Sequence, residues 1–174
     1  MSGQGGSAAS SLGRYLPTSD GPLVEVRLLG MPVQLTLDSR EHHDGLLREL
    51  RLLAMEDDAG ELDVPARLVE LVDTMSTQRA AARSRRDEEL EAALARGEAT
   101  IDLVEHVPPE VVETVTTLSG LLEECDRFCE QGQLMTLPRP RLVREVTRWF
   151  LTQFRDQVQG RPATRWDGPV SLRG

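Results

Sequence analysis

The chain has 174 residues and a formal charge of -9, which argues against a nucleic-acid binder or a protein that docks on anionic lipid, since both need a basic face. All 20 basic residues are arginine, so chemistry that depends on a P-loop, Schiff-base or kinase-type lysine is excluded. The length is normal for one domain, and leucine and valine must build its core because aromatic residues make up only 3% of the chain.

Residues 1 to 21 are rich in glycine and serine and show no apolar periodicity, so we expect a disordered tail there. This segment lacks the basic and apolar regions of a signal peptide, and no apolar run in the chain approaches the roughly 20 residues of a membrane span. Together with only two cysteines, these features predict a cytoplasmic protein. We expect a single α+β domain over residues 22–160 and a C-terminal tail over residues 161–174.

Two short segments after the first tail alternate apolar and polar residues, as half-buried strands do. They are VEVRLL, from Val24, and VQLTL, from Val33, separated by Gly30-Met31-Pro32. The simplest prediction is an N-terminal hairpin. A third strand is predicted for ATIDLVEHV, after Gly97, and a fourth for QLMTLP. The predicted fold is therefore a small α+β sheet of three or four strands, covered by amphipathic helices.

Helical periodicity predicts the layer that covers this sheet. The first helix is expected to begin at Asp38 or Ser39, with Glu41 three residues after Asp38 as in a capping box. Four more helices are expected to begin near Pro65, at about Arg79, after Pro109 and at about Pro140, the last ending at Val158. Trp166 is a candidate anchor for the C-terminal tail.

The three histidines define a candidate metal or acid–base site. His42 and His43 follow Asp38, and His106 lies near another predicted strand-to-helix turn. Neutral imidazoles with a carboxylate suit zinc or iron. Adjacent helical residues point about 100° apart, so His42 and His43 cannot readily hold one ion without His106. The alternative interpretation is a polar first turn of a helix.

Two other groups of side chains could carry function. Cys125 and Cys129 lie on the apolar stripe of the predicted fourth helix, where thiols behave as small hydrophobic groups, so we interpret them as structural. Arginines on the third and last predicted helices could bind a partner, although a solvated helix face is the simpler interpretation. These candidate partner-binding residues are Arg83, Arg85, Arg86 and Arg148.

Three segments resemble small actinobacterial proteins encoded beside components of partner-switching regulation. The segments are VEVRLLGMPVQLTLDSREHHDGLLREL, ARGEATIDLVEHVPPEVVE and RWFLTQF, and the resemblance covers roughly residues 23–166. Those components are anti-sigma-factor kinase-like ATPases and their antagonist domains, so the resemblance implies a regulatory role. The strand-turn-helix opening also resembles the start of the ATPases themselves, which bind ATP through an asparagine-containing helix motif and glycine-rich loops. This chain has no asparagine and no matching glycine-rich segment.

The expected function is a non-enzymatic regulatory module that binds a protein partner and carries no cofactor and no catalytic residue. One alternative is a metal-dependent enzyme whose site lies at the turns of His42, His43 and His106. Another is a degenerate kinase-like protein that binds ATP. The sequence leaves the identity of the partner and the oligomeric state open.

Overall fold

A computed structural model describes residues 21–55, 69, 70, 73 and 80–172. These residues form an α+β fold, which confirms the predicted class. The predicted disordered tail lies outside the described residues apart from Gly21, as does the helix predicted near Pro65 apart from three helical positions. The elements run in the order β1 (Val24–Pro32), α1 (Val33–Met55), α2 (Ala80–Ala95), β2 (Thr100–Val107), α3 (Val111–Glu130) and α4 (Arg141–Val158).

The sheet within the described residues consists of β1 and β2 alone, so the prediction of three or four strands is wrong. The two strands are antiparallel, with Val24 opposite Val107 and Pro32 opposite Thr100. β2 lies where the sequence predicted its third strand. The segment QLMTLP forms turns and irregular chain, and the predicted fourth strand does not exist.

The predicted N-terminal hairpin is also wrong, because VQLTL forms the beginning of α1. Proline is well suited to a helix start, and Pro32 directly precedes this helix. Val33 packs in the main core, whereas Leu35 packs with Val143 and Val146 of α4. The alternating apolar residues are therefore buried on two sides of a helix instead of one face of a strand.

This early start of α1 also overturns the predicted capping box. Asp38, Ser39 and Glu41 all lie inside the helix, one to two turns after its first residue. Ser39 is buried, and its hydroxyl lies 3.3 Å from that of Thr147 on α4. The residue that sequence analysis assigned to a helix cap therefore contributes to the contact between two helices.

The helices cover one face of the sheet. Along β2, Leu103, Glu105 and Val107 are buried, whereas the residues between them are exposed. Helices α2, α3 and α4 follow the predicted boundaries closely, and the apolar stripe of α3 faces the core as expected. No helix in the described part of the chain combines the length and the apolarity that crossing a membrane would require.

A bulge in β1 receives the C-terminal segment. Leu29 and Gly30 together stand opposite Asp102, and the Gly30 amide donates a hydrogen bond of 2.6 Å to the Asp102 carboxylate. Arg165 binds the same carboxylate at 3.0 Å, and the Trp166 amide donates to the Leu29 carbonyl at 2.9 Å. The bulge thus holds the segment that follows α4 against the strand, with Trp166 as one of its anchors.

Replacing Gly30 with alanine is expected to destabilise the fold by about 2 to 3 kcal/mol, measured by chemical denaturation. Gly30 has a φ of 68°, and a Cβ atom there would lie 2.8 Å from Nη1 and 3.1 Å from Cγ of Arg165, so the stem of that side chain would have to shift as well as its end. Gly97 is a matched control, because its φ is 71° but no heavy atom lies within 4 Å of the added Cβ. The alanine variant of Gly97 should be destabilised only by the free-energy cost of placing alanine in the left-handed backbone conformation. Equal losses at the two sites would contradict the role given to the contact with Arg165.

Candidate functional site

The two outer edges of the sheet differ. On β1, the side-chain amide of Gln157 accepts a hydrogen bond from the Arg27 amide and donates one to the Arg27 carbonyl, both at 2.8 Å. These two hydrogen bonds resemble the pair that a residue of a neighbouring strand would make with Arg27. Two residues later in β1, the Leu29 carbonyl accepts a hydrogen bond from the Trp166 amide. For β2, no strand among the described residues pairs with the outer edge.

The uncovered face of the sheet carries mixed charges around an apolar side chain. Val104 is 51% exposed, and Asp102 and His106 flank it on the same face of β2. Glu25 stands opposite His106, and the Arg27 guanidinium donates a hydrogen bond of 2.7 Å to it, which lowers the pKa of the Glu25 carboxyl group. This face is therefore polar enough to remain in water and still offers an apolar contact at its centre.

The candidate partner-binding arginines have different surroundings. Arg85 and Arg148 are exposed, whereas the side chain of Arg83 lies outside the described residues. Arg86 points inward, where its guanidinium lies 2.9 Å from the buried Glu105 carboxylate and 5.4 Å from the centre of the Phe150 ring. Arg86 therefore joins α2 to β2 and α4.

The candidate metal ligands do not gather at one place. His42 and His43 lie in the middle of α1 and not at a strand-to-helix turn, while His106 lies on the uncovered face of β2. Asp38 and His42 do line one surface groove, one helical turn apart. Across the described residues, no group of three or more His, Cys, Asp and Glu side chains has the arrangement of a metal site.

His42 lies in an environment that opposes protonation. Burial of its imidazole lowers the pKa of His42, an effect that the Asp126 carboxylate opposes and the Arg139 guanidinium reinforces. Those two residues form a buried ion pair that sequence analysis missed. The guanidinium binds the carboxylate through both Nε and Nη2, and the Arg139 backbone amide adds a third donor at 3.0 Å.

A second carboxylate binds the same loop between α3 and α4. Glu49 of α1 accepts hydrogen bonds from the backbone amides of Met135 and Thr136. Burial raises the pKa of Glu49, but the hydrogen bonds from Thr136 and Met135 outweigh this effect and lower the pKa overall. The loop is therefore held by one carboxylate from α1 and another from α3, and these groups have a structural role.

The two cysteines are buried in the core, as their position on the apolar stripe predicted. Burial raises the pKa of the Cys125 thiol to about 12 and that of the Cys129 thiol to about 11, and the nearby Asp126 carboxylate adds to both shifts. A reactive cysteine requires a lowered pKa, so this environment does not activate either thiol.

No protein-family model, no curated protein and no solved structure matches this chain.

Proposed function

We propose that this protein is a non-enzymatic regulatory module that binds a protein partner along the outer edge of β2. The observation that carries this proposal is the difference between the two sheet edges. Gln157 binds the Arg27 amide and carbonyl of β1 and Trp166 binds the Leu29 carbonyl, whereas no described strand pairs with β2 on its outer side.

An outer strand edge presents backbone N–H and C=O groups at the spacing that another strand requires. Many recognition domains use such an edge to bind an extended segment of a partner, with main-chain hydrogen bonds providing affinity and alternate side chains providing specificity. Val104 supplies an apolar contact on β2, and His106 beside it supplies a hydrogen-bonding group, whereas the Asp102 carboxylate already binds Arg165 and the Gly30 amide.

Exposed arginines elsewhere on the surface could select the partner. Arg85 and Arg148 carry positive charge on a protein that is acidic overall, so they can favour a partner with acidic groups and fix its orientation. Arg86 is not part of this proposal because it already binds Glu105. The resemblance to proteins encoded beside partner-switching regulators suggests kinase-like ATPases and their antagonists as the first partners to test.

The test replaces Val104 with arginine, which adds a charge at the centre of the proposed edge without disturbing a buried side chain. We expect a specific partner captured from the native cell to be retained at least tenfold less by V104R than by the unchanged protein, as measured by quantitative mass spectrometry. Leu137 is a matched control, since it is 78% exposed and lies in the loop between α3 and α4.

The L137R variant should retain the partner fully, and circular dichroism should show that both variants are folded. Equal retention by V104R and the unchanged protein would contradict the proposed edge. Failure of the unchanged protein to retain any specific partner would contradict the proposed function as a whole.

The metal-dependent alternative has less support. Asp38 and His42 supply two potential ligands in one groove, whereas zinc sites in proteins use three or four protein ligands. No geometric observation favours the nucleotide-binding alternative over protein binding.

A further inference from the structure

The helices and the covered face of the sheet form a pocket of about 280 Å³ that is open to solvent on one side. Its walls are mostly apolar, with Leu46, Leu90, Val115, Leu122 and Phe154 among the residues that line it. Protein interiors are close-packed, and voids larger than a water molecule are few. This pocket is open and mostly apolar, which are the features of small-molecule binding sites in proteins.

The size of the cavity limits what it can hold. An engineered apolar cavity of about 150 Å³ stays free of water and binds benzene, which has six non-hydrogen atoms. Scaled in proportion, a cavity of about 280 Å³ would hold roughly eleven non-hydrogen atoms. The part of a ligand that the pocket takes up is therefore small, such as a medium-length alkyl chain or a two-ring compound.

The charged side chains around the cavity bind one another. Arg86 pairs with Glu105 at 2.9 Å, and Arg40 pairs with Asp87 at 3.2 Å. Asp44 is the fifth charged residue in the lining, and its carboxylate also interacts with a neighbouring group. A charged ligand of either sign would lose its hydration against mostly apolar walls without gaining an unpaired counter-charge, because the charged side chains of the lining already have partners. The charge arrangement thus favours a neutral ligand.

Neutral polar groups in the lining can orient such a molecule. Ser39 and Thr147 bring two hydroxyl groups within 3.3 Å of each other in the wall. One hydroxyl can donate to the other, which leaves one donor and several acceptor sites for a ligand. The imidazole of His43 also lines the cavity, with its Nε2 atom shielded from solvent.

We infer that the cavity binds a neutral, largely apolar small molecule that carries one hydroxyl or carbonyl group. The apolar body occupies the space among the helices, and the polar group contacts the hydroxyls of Ser39 and Thr147. This binding is independent of the proposed protein interface, because the cavity lies on the covered face of the sheet and Val104 lies on the opposite face.

The first test compares three ligands that differ only in the head group: 1-decanol, decanoate and decylamine. Ligand binding to the folded state stabilises it by mass action, so 1-decanol below its solubility limit should raise the midpoint of thermal unfolding by about 3 °C or more. Isothermal titration calorimetry should give affinities for decanoate and decylamine at least tenfold weaker. Equal affinity for all three ligands, or no binding of 1-decanol, would overturn the inference.

The second test narrows the pocket. Leu118 is a partly buried residue of its lining, and L118F adds about three non-hydrogen atoms to a space for roughly eleven, so the affinity for 1-decanol should fall about fivefold or more. L137F, which adds the same ring at an exposed site, should bind it as the unchanged protein does. Unchanged binding by L118F would place the ligand elsewhere and overturn the inference.

A third variant gives a result even if L118F fails to fold. T147V keeps the shape of the side chain and removes the hydroxyl, so the affinity for 1-decanol should fall by about three- to tenfold. An unchanged affinity in T147V would contradict the role given to the hydroxyl pair.

Discussion

Replacing Asp126 with alanine is expected to lower the free energy of unfolding by about 3 to 5 kcal/mol. Asp126 and Arg139 are only 5% and 4% exposed, so the variant would leave a guanidinium in the protein interior without its counter-charge. It would also remove the acceptor of the Arg139 backbone amide. The cost of an unpaired buried charge is the reason for the large effect, since the intact pair gains little over apolar residues of similar size.

The measurement is urea denaturation of D126A beside a control on the same helix. Glu130 of α3 binds Arg144 at 3.1 Å, but its side chain is 48% exposed, so E130A should lose no more than about 1 kcal/mol. A double variant, D126L with R139M, should recover part of the stability because it leaves no buried charge behind, although the backbone amide at position 139 still lacks its acceptor. A loss in D126A as small as that in E130A would contradict the structural role assigned to this pair.

The helices α3 and α4 could be predicted because their apolar stripes are long and their ends are marked. Gly132, with a φ of 71°, follows α3, and Pro140 directly precedes α4. Over 18 to 20 residues, the helical period leaves no competing interpretation. β2 was predictable for a similar reason, since its eight residues alternate and follow the turn at Gly97.

The beginning of α1 could not be predicted from its own residues. Five alternating residues fit a half-buried strand and equally fit a helix that is buried on two sides. The choice depends on Leu35, which packs against Val143 and Val146 on α4, more than a hundred residues further along the chain. Neither local propensity nor periodicity can predict a contact between residues that lie so far apart in the sequence.

The polar contacts of the candidate site were harder to predict than the helices. The position of Asp126 in the sequence was nevertheless informative. Asp126 lies four residues after Leu122 and three before Cys129, a spacing that places it beside the buried stripe of α3. A carboxylate at such a position requires a cation, and this requirement could have led to a search for its arginine. For Glu105, the alternation of β2 indicated a covered position, but only the packing of α2 onto β2 identifies Arg86 as its partner.

Stability is expected to decrease as the pH rises from about 9 to about 12, because both thiols are held in their neutral form by the fold. Their pKa values rise from 9.0 to about 12 for Cys125 and to about 11 for Cys129. Above pH 9 the unfolded chain loses these protons while the folded protein keeps them, so the unfolded state is favoured. The contribution is complete below pH 9 and is lost as the pH passes through the folded pKa values.

The size of this loss should be on the order of several kcal/mol, since one pKa unit corresponds to about 1.4 kcal/mol. The measurement compares the pH dependence of the unfolding free energy with that of the double variant C125A/C129A. The variant begins from a lower stability because it leaves a small cavity in the core, but its curve should be flatter between pH 9 and pH 12. If the two proteins show the same pH dependence, the thiols are not held neutral by burial in the core. That result would contradict the structural role assigned to Cys125 and Cys129.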